Sequence, residues 1–315
     1  MNTNMYEVNV PTRRGPVLNG VLFRPQEERT ADTVMIAITG IHGNFYSNPF
    51  YYNVGETLNR GGIDFLYAQT NDAFGRIQTV NANTGRPALI GSWNERFSYI
   101  DKDIEAYLRF VQQEGYTHVI LAGHSLGANK VVYYLSRHQD APIDHFFLLS
   151  PANLDYMMSG VSFAEKRAIQ DQVAHGEGEQ MLPFPFMGWV DCIADTAWDW
   201  QVSGLLNNVH TAKDGDFSQA ERIAHTGALL VVTYDNFTDG DSAEFLRNLN
   251  DHMPTKEQNK LIFIEKTGHT YQMKHQELAE KILAQLREWR DETDDAGNRK
   301  RPRDGVLQYL LPDGR

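Results

Sequence analysis

One cysteine, Cys192, stands in a chain of 315 residues, so no disulfide can close within it and nothing in its thiol content calls for an oxidising compartment. Cations are also short: 29 Lys and Arg against 41 Asp and Glu leave a formal charge of -12. Nucleic-acid binding needs clustered cations that displace counterions, so no nucleic-acid partner is expected, and small neutral or cationic molecules suit the chain better. Long apolar runs are missing, which argues against any membrane span. Residues 1–15 mix Asn, Glu, Thr and Arg with no apolar core, so no signal peptide is expected and the predicted location is cytoplasmic. No glycine-rich phosphate motif follows a strand, and Asp191, Asp195 and Asp199 lack the histidine or further ligands that a metal site would add. Spaced at i, i+4 and i+8, these carboxylates read as the solvated face of a helix, and neither a metal nor another cofactor is expected.

What is present is enough apolar surface for a sizeable core, with 41% hydrophobic residues set out as alternating strands and helices. Residues 6–10 and 17–23 alternate as two antiparallel edge strands around a turn at Arg13, Arg14, Gly15 and Pro16. The run 33–38 is continuously apolar, as a strand buried on both faces must be. A helix over 52–60, a strand over 63–68 and a helix over 99–114 lead to a strand from His118; further strands follow at 146–149, 228–233 and 261–264, then a helix over 276–289. This alternation predicts a mostly parallel central sheet flanked by helices, with residues 1–151 and 225–290 forming one core. Residues 152–224 are too long for an ordinary connection and read as an inserted helical lid. Its aromatics, Trp189 and Trp198 foremost, are candidates to roof a pocket and bind substrate. Residues 291–315 read as a polar linker holding the basic run Arg299 to Arg303, with an apolar end that docks on the body or on a second subunit in a homodimer.

The chemistry gathers at Gly123, His124, Ser125, Leu126 and Gly127, where an apolar strand stops and an amphipathic segment begins at once. That pattern is a nucleophile elbow, a turn from strand to helix that presents Ser125 in a strained conformation. A serine hydroxyl needs a base in reach and a third group to orient that base. His269, in a Gly-His pair after a late strand, is the expected base; His124 belongs to the elbow and packs beneath it, and His42 faces the pocket. The acid should follow the strand at 228–233, where Asp239 is favoured, then Asp241, then Asp235, with Asp155 more distant. The amide of Leu126 and one from the Gly40, Ile41, His42 loop would stabilise an oxyanion, with Ile41 favoured over His42.

With the elbow, the Gly40-Ile41 loop and Gly268-His269, the chain resembles the α/β-hydrolase superfamily over roughly residues 15–290. The stretch from Thr39 to Asn44 with Pro49 and Phe50, and that from Ser98 to Asp103, are similar to the branch containing fungal siderophore (fusarinine-type) esterases. This resemblance implies an α/β-hydrolase fold and a serine esterase using Ser125, His269 and Asp239, acting on a small-molecule ester or acyl substrate of bulky or hydroxamate type. The acid loop looks longer than the usual pattern. Two rivals stand beside it: a thioesterase, acyltransferase, amidase or lyase on the same triad, and a binding protein of the same fold with little turnover.

Overall fold

The computed structural model describes residues 3–25, 31–205 and 208–295. Strands β1 (Thr3–Pro11) and β2 (Val17–Pro25) form an antiparallel hairpin at one edge of an eight-stranded sheet. Strands β3 (Thr33–Ile38) and β4 (Asp64–Ala68) follow, joined by α1 (Phe50–Arg60). A hairpin of β5 (Ile77–Asn81) and β6 (Arg86–Ile90) stands apart as a second small sheet. Then come α2 (Ile100–Gln113), β7 (His118–His124), α3 (Leu126–Arg137) and β8 (His145–Leu149). After an insertion, β9 (Gly227–Tyr234), α7 (Ser242–Asp251), β10 (Lys260–Gly268) and α8 (His275–Asp295) complete the core.

The main sheet runs β1-β2-β4-β3-β7-β8-β9-β10, antiparallel at the β1, β2 and β4 end and parallel from β4 onward. The continuous apolar runs follow from burial on both faces. Side chains alternate across a strand, so Val34, Ile36 and Ile38 join α2 and α3 on one side, while Met35 and Ala37 join α1 and α8 on the other. Truncating one such buried Leu or Ile to Ala costs about 2–5 kcal/mol, because its neighbours close the void only in part.

Between β8 and β9 the chain forms α4 (Leu154–Ser159), α5 (Phe163–Ala174) and α6 (Ala194–Val202). A capping box of Ser162 and Glu165 starts α5. The stretch from α5 to α6 holds turns and two short bridges, Met181 to Ile193 and Phe186 to Val190, rather than helix. The expected solvated row of three aspartates is not formed. Asp191 precedes α6, Asp195 pairs with Arg96 at 2.8 Å, and Asp199 accepts the Phe97 amide at 3.2 Å.

The start of this insertion and Asn208, well inside it beyond α6, meet one buried side chain. Asn129 of α3 accepts the Ala152 amide at 3.1 Å and donates to the Ala152 carbonyl and to Asn208 Oδ1 at 2.9 Å each; Asn208 donates back to the Asn129 carbonyl at 2.9 Å. At the far end, α8 continues to Asp295, past the start expected for a linker at 291. Arg299 to Arg303 and the apolar run 306–311 lie outside the described residues. No helix among the described residues is long and apolar enough to cross a membrane.

Candidate active site

β7 ends at His124 and α3 begins at Leu126, so a single residue must reverse the chain. Ser125 does so with φ 57° and ψ -129°, a conformation that costs a non-glycine residue on the order of 1–3 kcal/mol. Its amide is held by the Leu149 carbonyl of β8 at 3.0 Å. The turn is tight enough that a Cβ on Gly123 would collide with the Gly127 carbonyl, which explains glycine there.

The acid is Asp235. Its carboxylate is fully buried and accepts from His269 Nδ1 at 3.0 Å to each oxygen, with the Phe237 amide as a further donor at 3.0 Å. The expected Asp239 does not meet His269: it sits exposed in a turn at φ 59°. Asp241 is spent capping α7, accepting the Glu244 amide at 2.7 Å, and Asp155 lies exposed in the first turn of α4. The physical reason is that β9 stops at Tyr234, so the next residue already turns toward the neighbouring β10 loop.

A carboxylate only accepts, so Nδ1 of His269 is the donor, and it is Nε2 of the neutral ring that would present a lone pair. That Nε2 is buried beside Ser125 in one shared cavity with no hydrogen-bond partner among the described residues. Catalytic hydrogen bonds commonly tighten only when substrate binds. His124 lies under the pair, its ring 4.8 Å from that of His269, and its Nε2 donates to the His269 carbonyl at 3.0 Å. Burial first, and then the neighbouring His269, pull the His124 pKa down to about 3, so this ring stays neutral and braces the base loop.

The loop after β3 completes the arrangement. Gly43 donates to the Gly40 carbonyl at 2.9 Å, and His42 takes φ 53° within that turn. The His42 amide is spent on the Asp72 carbonyl at 2.8 Å and so is not available to an oxyanion. A Cβ placed on Gly40 would lie 3.0 Å from Ser125 Cβ and 3.2 Å from the Leu126 nitrogen, so this loop passes directly over the elbow.

Beneath it lies a charge cluster that sequence reading missed. Lys130, five residues after Ser125 and fully buried, meets Asp72 at 2.6 Å and Glu95 at 3.3 Å. Thr70 donates to Asp72 at 2.8 Å and shares a 3.1 Å hydrogen bond with Thr39. Burial opposes charge on Lys130, yet Asp72 and Glu95 carry its pKa above the ordinary lysine value. The one available signal was a lysine between the apolar residues Ala128, Val131 and Val132.

The cavity over Ser125 has a volume of about 250 Å³. Leu154, Met157, Met187, Trp189, Trp200 and Phe237 form apolar walls, and His42, Ser47, Asn48 and Thr270 add polar groups. His42 packs edge-on to Trp189 at 5.6 Å and shares a 2.7 Å hydrogen bond with Ser92. Burial lowers its pKa. Trp198, expected here, does not line the cavity; two positions along a helix turn a side chain about 200° around the axis, and it is Trp200 that faces in.

Comparison with known proteins follows the same lines. No curated protein matches the sequence. Among solved structures, Est1E from Butyrivibrio proteoclasticus superposes with a TM-score of 0.59 at 16% identity, covering 90% of this chain and 98% of that one, and it has also been solved with ferulic acid bound. An esterase domain from Rhodothermus marinus gives 0.57 at 12% identity over 90% and 98% of the two chains, and a Pyrococcus furiosus esterase gives 0.52 at 14% over 91% of each. At such identities the likeness is one of fold. The profile of the Alpha/beta hydrolase family matches residues 41–281, most of the chain including the elbow and the histidine loop, and the protein belongs to that family.

Proposed function

We propose that this protein is a serine esterase that cleaves carboxylic esters through an acyl-enzyme on Ser125. The observation that carries the reading is the Asp235–His269 pair, at 3.0 Å, opening its free nitrogen into the cavity that holds the strained Ser125. His269 Nε2 takes the Ser125 proton as Oγ attacks the ester carbonyl, and the amides of Leu126 and Ile41 receive the oxyanion. The C–O bond then breaks, His269 returns the proton to the leaving alkoxide, and water repeats the sequence to release the acid. Asp235 keeps the imidazole in the required tautomer throughout.

The walls narrow the substrate. Among the described residues no lysine or arginine lines the cavity, so a free carboxylate on the substrate would gain no counterion from them. Apolar and aromatic walls favour an ester with a neutral, bulky acyl or alcohol part, a class that includes aryl esters and the hydroxamate-type esters of the siderophore branch. The insertion supplies most of these walls and serves as the lid. Fluorophosphonate should add once to the parent and not to Ser125→Ala, with intact mass as the readout. The labelled parent should hydrolyse neither p-nitrophenyl butyrate nor methyl ferulate, while unlabelled enzyme turns over at least one. A folded parent that takes no label and cleaves neither ester would refute the reading, and transfer to an added alcohol in preference to water would make it an acyltransferase.

A further inference from the structure

A second cavity, of about 230 Å³, lies on the side of the sheet covered by α2 and α3. Arg109 and Leu108 of α2, Tyr134 near the end of α3, His138 and Pro142 just beyond it, and Arg13 of the β1–β2 turn surround it. Helical rise of 1.5 Å per residue puts the last turn of α3 roughly 15 Å from Ser125, so this cavity is separate from the one described above.

Its charge runs against that of the whole chain. Glu105 on its rim is paired with Lys102 at 3.1 Å, and the nearby Asp101 is paired with Arg137 at 3.3 Å. His138 Nε2 lies 3.5 Å from Asp101. Arg13 and Arg109 remain as neighbouring guanidinium groups with no ion pair among the described residues, and Arg109 Nη1 is buried without a hydrogen-bond partner. Burial, followed by the charge of Arg13, pushes the Arg109 pKa down against a smaller opposing pull from Glu105, which registers the repulsion between the two arginines. Two cations facing one concavity are relieved when an anion sits between them, and guanidinium forks match paired oxygens of carboxylate or phosphate.

We propose that this cavity binds a small organic anion, its paired oxygens held by Arg13 and Arg109 and its apolar body resting on Leu108, Tyr134 and Pro142. The test is calorimetric titration of the full chain with phenyl phosphate, benzoate and inorganic phosphate. Saturable binding is expected, tighter for the phenyl compounds than for inorganic phosphate, and weakened about tenfold or more in Arg109→Gln. Arg13 is exposed, so Arg13→Gln leaves the fold intact and should weaken binding likewise. Preference for phenyl phosphate over benzoate would identify a phosphate monoester as the ligand class, and the reverse a carboxylate. Absence of saturation with all three probes, or binding that survives both substitutions, would overturn the proposal.

Discussion

At the scale of single residues, the two aspartates of the β9 loop give the sharpest contrast. Asp235 is buried against His269 and Asp239 is exposed, so Asp235→Asn should lower kcat for an ester substrate by about 10³ to 10⁴, the loss expected when the imidazole is held in the wrong tautomer. Asp239→Asn should stay within about twofold of the parent, as surface substitutions usually do. Equal losses from both would mean that the loop rearranges around substrate. Ser125 and His269 were legible in the sequence because each is marked by glycine and by its place after a strand. The carboxylate that meets His269 was not, since Asp235, Asp239 and Asp241 fall within one loop and composition says nothing about which carboxylate turns inward. The same holds for Trp198 and Trp200, where the choice depends on the phase of α6 and that phase is set by packing.

At the scale of elements, α3 does more than present Ser125. Through Lys130 it grips Asp72, whose carbonyl holds the His42 amide, so the helix and the Gly40–His42 loop are tied by buried charge. Glu95 belongs to that cluster, and burial raises its pKa from 4.5 to about 8. A carboxyl that binds its proton more tightly when folded adds stability in full below its unfolded pKa, and that stability is lost as pH rises toward the folded value. Glu95→Gln should therefore remove part of the fall in Tm between pH 4.5 and 8, measured side by side with the parent; parallel Tm curves would show that Glu95 is ionised throughout. The core strands were readable because burial on both faces demands unbroken apolar runs. β5 and β6 were missed because the hairpin is largely exposed, alternates weakly and turns on Asn81, whose side chain accepts the Asn83 and Thr84 amides at 3.0 and 3.2 Å.

At the scale of the whole molecule, the chain carries a formal charge of -12 and, among the described residues, no lysine or arginine lines the cavity. Anionic esters should approach slowly at low salt, where the Debye length is about 30 Å at 0.01 M, and recover as it shrinks to about 8 Å at 0.15 M. The expected result is a several-fold rise in kcat/KM for a hemisuccinate ester across that range, with little change for a neutral ester of equal size. A flat response for both would place the acidic residues too far from the entrance to steer substrate.

The meeting of Ala152 and Asn208 at Asn129 bears on how such a protein diversifies. A segment that leaves and returns at one point is a cassette: its length and sequence can change while Ser125, Asp235 and His269, all outside it, keep their places. Leu154, Met157, Met187, Trp189 and Trp200 belong to it while His42, Phe237 and Thr270 do not, so a chimera that exchanges residues 153–207 while keeping Asn129 would remake much of the cavity wall and leave those three residues untouched.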